Sequence, residues 1–289
     1  MILIIIIIIL LIILLINKKS ELFTINSKVI KYIPDYIIPI NKKSELFTIN
    51  SKVIYLSYKT KDIPDYIIPN IKKLYPNYEI KLYDNNDCIE FLKKEYSQEY
   101  VDIFNYLKDG PIKADFWRLC ILYKYGGIYF DIDIEHFNNL DNIIENDTTF
   151  TTLVIDPTYR TKKRDFNPAI IITNSNNKII KKCINIYLDK YKNKIKYNYW
   201  EYSIVTIMSK ILYDELNQEV TKDGIYYDTN KDKYQFLLEK VPKGKNKNIY
   251  QFLLEKIPIF NKNIYIEYNN KKYCNSRYSN YNSYLHKFK

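Results

Sequence analysis

The stretch from Gly110 to Ile134 constrains the fold more than any other part of the chain. Gly110-Pro111 opens a helical pattern, with proline in the first turn where its missing N–H costs nothing, and Gly126-Gly127 closes that pattern after about Tyr125. The period then changes to two. Ile128, Phe130, Ile132 and Ile134 point one way, and Tyr129, Asp131, Asp133 and Glu135 the other, as in a strand over Ile128–Ile134. A helix turned by two glycines into an apolar strand is a unit of an α/β sheet.

The flanking sequence repeats that alternation. Lys52–Tyr58 and Tyr78–Tyr83 read as strands, with Pro64 and Pro69 bracketing a turn and short helix between them. Asp87–Lys94 and Gln98–Tyr106 have helical spacing; Thr149–Ile155 and Ala169–Thr173 read as strands, and Ile179–Tyr191 and Tyr202–Leu216 as helices. Beyond Asn217 the pattern gives no clear elements. The expectation is an α/β domain with a mostly parallel central sheet flanked by helices.

With 289 residues and 47% apolar content the chain is long enough for a sizeable core and too apolar for disorder. Cys88, Cys120, Cys183 and Cys274 show no C-x-x-C spacing, so they read as small buried hydrophobes rather than a zinc site or redox pair. The net charge of +11 does not indicate a nucleic-acid partner. It comes from lysine: Arg118, Arg160, Arg164 and Arg277 are the only arginines, the Ile, Asn and Tyr content points to A/T-rich codons, and no nucleic-acid motif is present.

Met1–Ile16 is wholly apolar and precedes Asn17, Lys18 and Lys19. As a helix it would rise about 24 Å against a hydrocarbon core of about 30 Å, a gap that snorkelling lysines can close. Lacking a basic n-region and small residues at a cut, it reads as an uncleaved single-pass membrane anchor, with a signal-like segment as the alternative and the cytosolic or lumenal side left open. Residues 17–50 form a duplicated linker, since NKKSELFTINSKVI occurs at Asn17–Ile30 and Asn41–Ile54. The body is 51–289. A short duplication within 235–265, YQFLLEK from Tyr234 and again from Tyr250, makes one copy there a surface insertion. The sequon Asn146-Asp147-Thr148 is compatible with a lumenal face.

Asp131 and Asp133 put two carboxylates on one face near the end of an apolar strand, where open α/β sheets bind ligands. Paired carboxylates are hard oxygen donors suited to Mn²⁺ or Mg²⁺, leaving positions for water and phosphate. On the preceding helix Asp115 and Arg118 are three residues apart and share a face. A planar guanidinium suits bidentate contact with oxygen-rich ligands. Together these residues describe a pocket for an anion and a metal.

Ile112–Asp133, IKADFWRLCILYKYGGIYFDID, resembles the signature of the DXD-containing sugar transferases of the initiating α-1,6-mannosyltransferase and inositol-phosphoceramide mannosyltransferase type, and the resemblance extends back over Ser51–Cys88. It implies a GT-A-type nucleotide-sugar-binding fold, a UDP- or GDP-sugar donor, Mn²⁺ (or Mg²⁺), a glycan or glycolipid acceptor and retention of anomeric configuration. By position, Asp131 and Asp133 would hold the metal and diphosphate, and Asp115 and Arg118 would contact the donor sugar or ribose. Tyr55, Leu56, Ser57 and Tyr58 stand where the family often has His-Gln-x-Trp, a departure at the expected nucleobase contact; Tyr58 is a donor-binding candidate. Asn167 is a second donor candidate, and His286 is a candidate third metal ligand. His136 reads as a loop residue. Two rival readings remain. Asp131, Asp133 and Glu135 also spell D-x-D-x-E, the acid set of a (β/α)₈ glycoside hydrolase with Glu135 as proton donor. A non-catalytic, membrane-tethered sugar-binding relative is the other.

Overall fold

The computed structural model describes residues 52–155, 164–240 and 264–276. Met1–Ile16, residues 17–50, the second YQFLLEK copy and His286 lie outside them. The chain begins with β1 (Val53–Ser57), α1 (Ile67–Leu74), β2 (Glu79–Tyr83), α2 (Asn85–Glu95), α3 (Gln98–Tyr106) and α4 (Gly110–Tyr125). It continues through β3 (Gly127–Phe130), β4 (Glu135–His136), β5 (Thr148–Ile155), β6 (Phe166–Thr173), α5 (Lys178–Lys192), α6 (Tyr199–Tyr202) and α7 (Ile204–Leu216). β7 (Gly224–Tyr227), β8 (Lys233–Lys240), β9 (Tyr265–Tyr268) and β10 (Lys271–Asn275) complete it.

Local chemistry sets the boundaries. Asp84 caps α2 through the N–H groups of Asn86 and Asp87, and the Asp87 carboxylate accepts from the Asp84 N–H in return, a capping box. Pro111 opens α4. Gly126 closes it at φ +64° and ψ −164°, its N–H donating to the Leu122 carbonyl. That backbone region is almost reserved for glycine. The helix expected over Tyr202–Leu216 starts at Ile204, because Ser203 is extended and its Oγ accepts from the Val205 N–H as the cap of α7; the short α6 precedes it.

All ten strands join one sheet in the order β2-β1-β3-β6-β5-β8-β9-β10-β4, with β7 also on β8. The sheet is mixed, which corrects the expected mostly parallel one. Only β1 with β2, β1 with β3, and β5 with β8 run parallel; the other pairings among the described strands are antiparallel. Only short stretches of chain separate β5 from β6 and β7 from β8, so these neighbours reverse direction.

Strand alternation divides the core between two faces. Tyr55, Tyr129 and Ile171 bury against Phe116, Trp117 and Leu119 of α4 and against α5 and α7. Ile54, Ile128, Phe130, Ile170 and Ile172 bury on the other face with Ile67 and Ile71 of α1. The cysteines Cys88, Cys120, Cys183 and Cys274 are free and buried, as the sequence indicates. No helix among the described residues is long and apolar enough to cross a membrane.

Candidate functional site

β1 and β3 run parallel with Ile54 opposite Ile128 and Tyr55 opposite Tyr129, so their carboxyl ends share one rim of the sheet. β3 ends at Phe130, sooner than the alternation over Ile128–Ile134 indicates. The Asp131 N–H still donates to the Ala169 carbonyl at 2.8 Å, one rung past the strand; the Ile134 N–H then donates to the Asp131 carbonyl at 3.2 Å. This makes Ile132-Asp133 a turn. Ile132 and Ile134 nevertheless bury in the same cluster as Ile128 and Phe130. The alternation thus records side-chain burial, which outlasts the ladder of hydrogen bonds.

Tyr129 and Asp131 fall on the face covered by α4, and Arg118 reaches them from that helix. Its Nη2 lies 3.1 Å from Asp131 Oδ1 and 3.2 Å from Asp115 Oδ1. Its Nη1 donates to the Pro168 carbonyl at 2.8 Å and its Nε to the Ala114 carbonyl at 3.3 Å. The guanidinium carbon stands 4.2 Å from the centre of the Tyr129 ring. The Tyr129 hydroxyl donates to Asp131 Oδ1 at 3.0 Å, so the Ser57 hydroxyl, also at 3.0 Å, is left to donate to Tyr129. The second Asp115 oxygen accepts the Ile204 N–H at 3.1 Å.

Arg118 is only 4% exposed and Asp115 6%. A buried cation survives when paired and hydrogen-bonded, and this one is. Burial works against the Arg118 charge, but Asp131, then Tyr129 and Asp115, outweigh it and hold the pKa above the usual arginine range. Burial also raises the Tyr129 hydroxyl well above its ordinary range, which keeps its proton on the bond to Asp131. Both contacts to Asp131 fall on Oδ1. The side chain is 33% exposed, so Oδ2 is the oxygen for a ligand from solvent.

The remaining candidates are spread along the same rim. Tyr58 follows β1, half-buried, its N–H donating to the Tyr83 carbonyl at 3.0 Å. Asn167, near the start of β6, accepts the Ala169 N–H at 3.0 Å and donates from Nδ2 to Glu239 Oε2 at 2.8 Å. The other Glu239 oxygen accepts from the Ser276 hydroxyl at 2.8 Å. Glu239, 8% exposed, is a carboxylate that the sequence reading missed. Its signal was available: YQFLLEK is β-branched-poor but carries Tyr, Phe and an apolar run between polar ends, which suits the buried strand β8. The register of Ile155 with Glu239 and Glu135 with Asn275 brings the ends of β5, β8, β10 and the start of β4 to this rim.

His136 is a buried strand residue, which corrects the loop assignment. Its ring lies 4.3 Å from that of Phe130 and 5.8 Å from that of Tyr75, with Nδ1 3.4 Å from Cys274 Sγ, and burial lowers its pKa to about 3. Glu135 accepts from Asn275 Nδ2 at 2.6 Å. Because Glu135 pairs into β4 after a turn, D-x-D-x-E does not occupy one strand, and the mixed open sheet is not the barrel that the hydrolase reading needs.

The two carboxylates that the sequence reading assigns to a metal, Asp131 and Asp133, follow β3 two residues apart; no group of three His, Cys, Asp or Glu among the described residues could hold a metal ion. Two carboxylates still fit Mn²⁺ or Mg²⁺, since such ions are commonly held by one or two carboxylates and complete their shell with water and substrate phosphates.

Residues 21–150 match the family model described as the glycosyltransferase sugar-binding region containing DXD motif, which bears out the resemblance read from Ile112–Asp133. A mannosyl phosphorylinositol ceramide synthase of Saccharomyces cerevisiae is 35% identical over 94 residues, 32% of this chain and 24% of that protein. An inositol phosphoceramide mannosyltransferase of Schizosaccharomyces pombe is 32% identical over 94 residues, 32% of this chain and 26% of that one. The match therefore spans about a quarter of each relative's length. The solved structure of PaToxG glycosyltransferase superposes with a TM-score of 0.42 at 19% identity, over 58% of this chain and 70% of that one, a likeness too loose to fix the fold family.

Proposed function

We propose that this chain, which carries the glycosyltransferase sugar-binding region containing DXD motif in residues 21–150, is a divalent-metal-dependent glycosyltransferase on a GT-A-type fold. It moves a hexose from a UDP- or GDP-sugar to a hydroxyl of a glycan or glycolipid, with retention of configuration. The names of the two fungal relatives favour a mannosyl group and an inositol-phosphoceramide-like acceptor. Met1–Ile16 tethers the enzyme to a membrane in this reading.

The observation that carries the proposal is the Arg118–Asp131 junction at the rim. A carboxylate meant only for the surface does not require a buried guanidinium and a tyrosine hydroxyl to fix one of its oxygens, above a backbone that a strand-end hydrogen bond pins to Ala169. Held in this way, Asp131 loses little freedom when a ligand arrives, which is what preorganised binding demands. Asp131 Oδ2 and Asp133 would hold Mn²⁺ or Mg²⁺, with His286 as the candidate third ligand. When bound, the ion supplies positive charge to the departing diphosphate. Arg118 and Asp115 orient the donor sugar or ribose from beneath, and Tyr58 and Asn167 flank the donor along the rim.

The test is hydrolysis of a panel of UDP- and GDP-sugars by the purified protein with Mn²⁺. At least one donor is turned over, EDTA stops it, and Asp133→Asn abolishes it without unfolding the protein. Wild-type turnover in Asp133→Asn, or turnover indifferent to EDTA, removes the assignment. Donor binding with no turnover at all would favour the non-catalytic relative.

A further inference from the structure

Away from the rim, the segment Lys190–Trp200 reads KYKNKIKYNYW, four lysines interleaved with four aromatic residues and one isoleucine, and no acid. It joins the end of α5 to α6. Ile195 and Trp200 are among the exposed large apolar side chains, Trp200 at 52%, and Lys192, Lys194 and Lys196 are exposed beside them. Lys190 lies with its ammonium 5.1 Å from the Tyr202 ring.

The backbone under this face is fixed. α5 ends in a Schellman motif: Lys194 has φ +53°, its N–H donates to the Tyr191 carbonyl, and the Ile195 N–H donates back to the Lys190 carbonyl. The Ile195 carbonyl accepts from the hydroxyls of Tyr106 and Tyr202 at 3.0 and 2.9 Å, and the Tyr197 hydroxyl donates to Asp109. Asn198 Oδ1 accepts the N–H groups of Trp200 and Glu201. A solvated loop has no need to spend seven hydrogen bonds on presenting an isoleucine and a tryptophan to water. The same segment leads through α6 into Ile204, whose N–H donates to Asp115.

We propose that this face docks on the anionic headgroup plane of a lipid bilayer. Tryptophan and tyrosine favour the boundary between headgroups and acyl chains, isoleucine adds apolar area, and lysines on flexible stems pair with anionic headgroups while their methylenes cover apolar surface. Asp189 and Glu201 flank the segment, and the three exposed lysines between them set its sign. A surface of this kind would hold a lipid-borne acceptor's membrane against the enzyme. It does not depend on the transferase reading and is separate from any attachment through Met1–Ile16.

The two tryptophans make the test specific, because Trp117 is fully buried and Trp200 is not. The emission of the full-length protein is recorded with phosphatidylcholine vesicles and with vesicles that also contain phosphatidylserine. The expected result is a blue shift with the anionic vesicles, reversed by high salt because exposed charges are screened. Lys192→Glu/Lys194→Glu/Lys196→Glu, with its thermal midpoint checked, loses the shift even where the protein still sediments with vesicles, and Trp200→Phe loses the signal. An equal shift on neutral vesicles, a shift that survives the charge reversal or Trp200→Phe, or quenching by an RNA oligomer with no response to vesicles overturns the proposal.

Discussion

Replacing Gly126 by alanine perturbs the joint between α4 and β3, and the structure sets the size of the effect. At φ +64° and ψ −164° the backbone is in a region that costs a residue with a Cβ about 1–3 kcal/mol. The added Cβ would stand 2.6 Å from the Ser175 nitrogen, 2.9 Å from the Asn174 carbonyl carbon and 3.0 Å from the Thr173 oxygen. All three are backbone, so relief requires moving the end of β6, which Asn176 also ties to α4 through the Tyr123 carbonyl. Overpacking of that kind costs about 1–3 kcal/mol more. The sum, about 2–6 kcal/mol, is a large part of a total stability of about 5–15 kcal/mol. Urea unfolding followed by circular dichroism measures it; with a slope of about 3 kcal/mol per molar the midpoint falls by about 0.7–2 M. Gly110→Ala is the control, since a Cβ there meets nothing within 4 Å. A Gly126→Ala midpoint equal to that of the control would refute the reasoning.

Two further outcomes follow from the buried groups. Arg118→Lys keeps the charge but loses the fork that spans Asp115, Asp131 and Pro168, so donor turnover falls by about 100-fold through misplacement of Asp131, and stability by about 2 kcal/mol; unchanged kinetics and unfolding midpoint would show that a point charge suffices. His136 titrates near 3 when folded and near 6.5 when unfolded, so between those values the unfolded chain binds the extra proton. Its contribution to stability is present above pH 6.5 and is lost as the pH falls, about 2 kcal/mol by pH 5 at about 1.4 kcal/mol per unit. Tyr75, Phe130 and Cys274 face the ring, and burial raises the Cys274 thiol, so none of them carries charge in that window. His136→Gln therefore flattens the urea-midpoint profile between pH 6.5 and 5, and parallel profiles would contradict the assignment.

Elements governed by local chemistry were legible in the sequence. Pro111 and Gly126 bound α4, and the Gln98–Tyr106 helix falls where its spacing puts it. The end of β3 was not, because Ile132 and Ile134 prolong an apolar rhythm that tertiary burial sustains without strand pairing. Sheet direction was not legible in the same way: Thr149–Ile155 and Ala169–Thr173 follow one another with no helical pattern between, which favours the observed reversal, but a gap of that length does not by itself exclude a parallel crossover. At the site, the neighbourhood of Asp115, Arg118 and Asp131 could be inferred from helix and strand periods. Glu239 could not be tied to Asn167 in this way, since they meet across β5 through a register that no local pattern encodes.

β8 holds β5 along one edge and β7 and β9 along the other, so much of the sheet leans on Tyr234–Lys240. That heptapeptide recurs verbatim from Tyr250 to Lys256, which gives the chain two equal claimants for one slot. A damaging substitution in the first claimant leaves a spare of unaltered sequence a short distance downstream. Mutational scans through this strand will then understate its importance unless both copies are altered together.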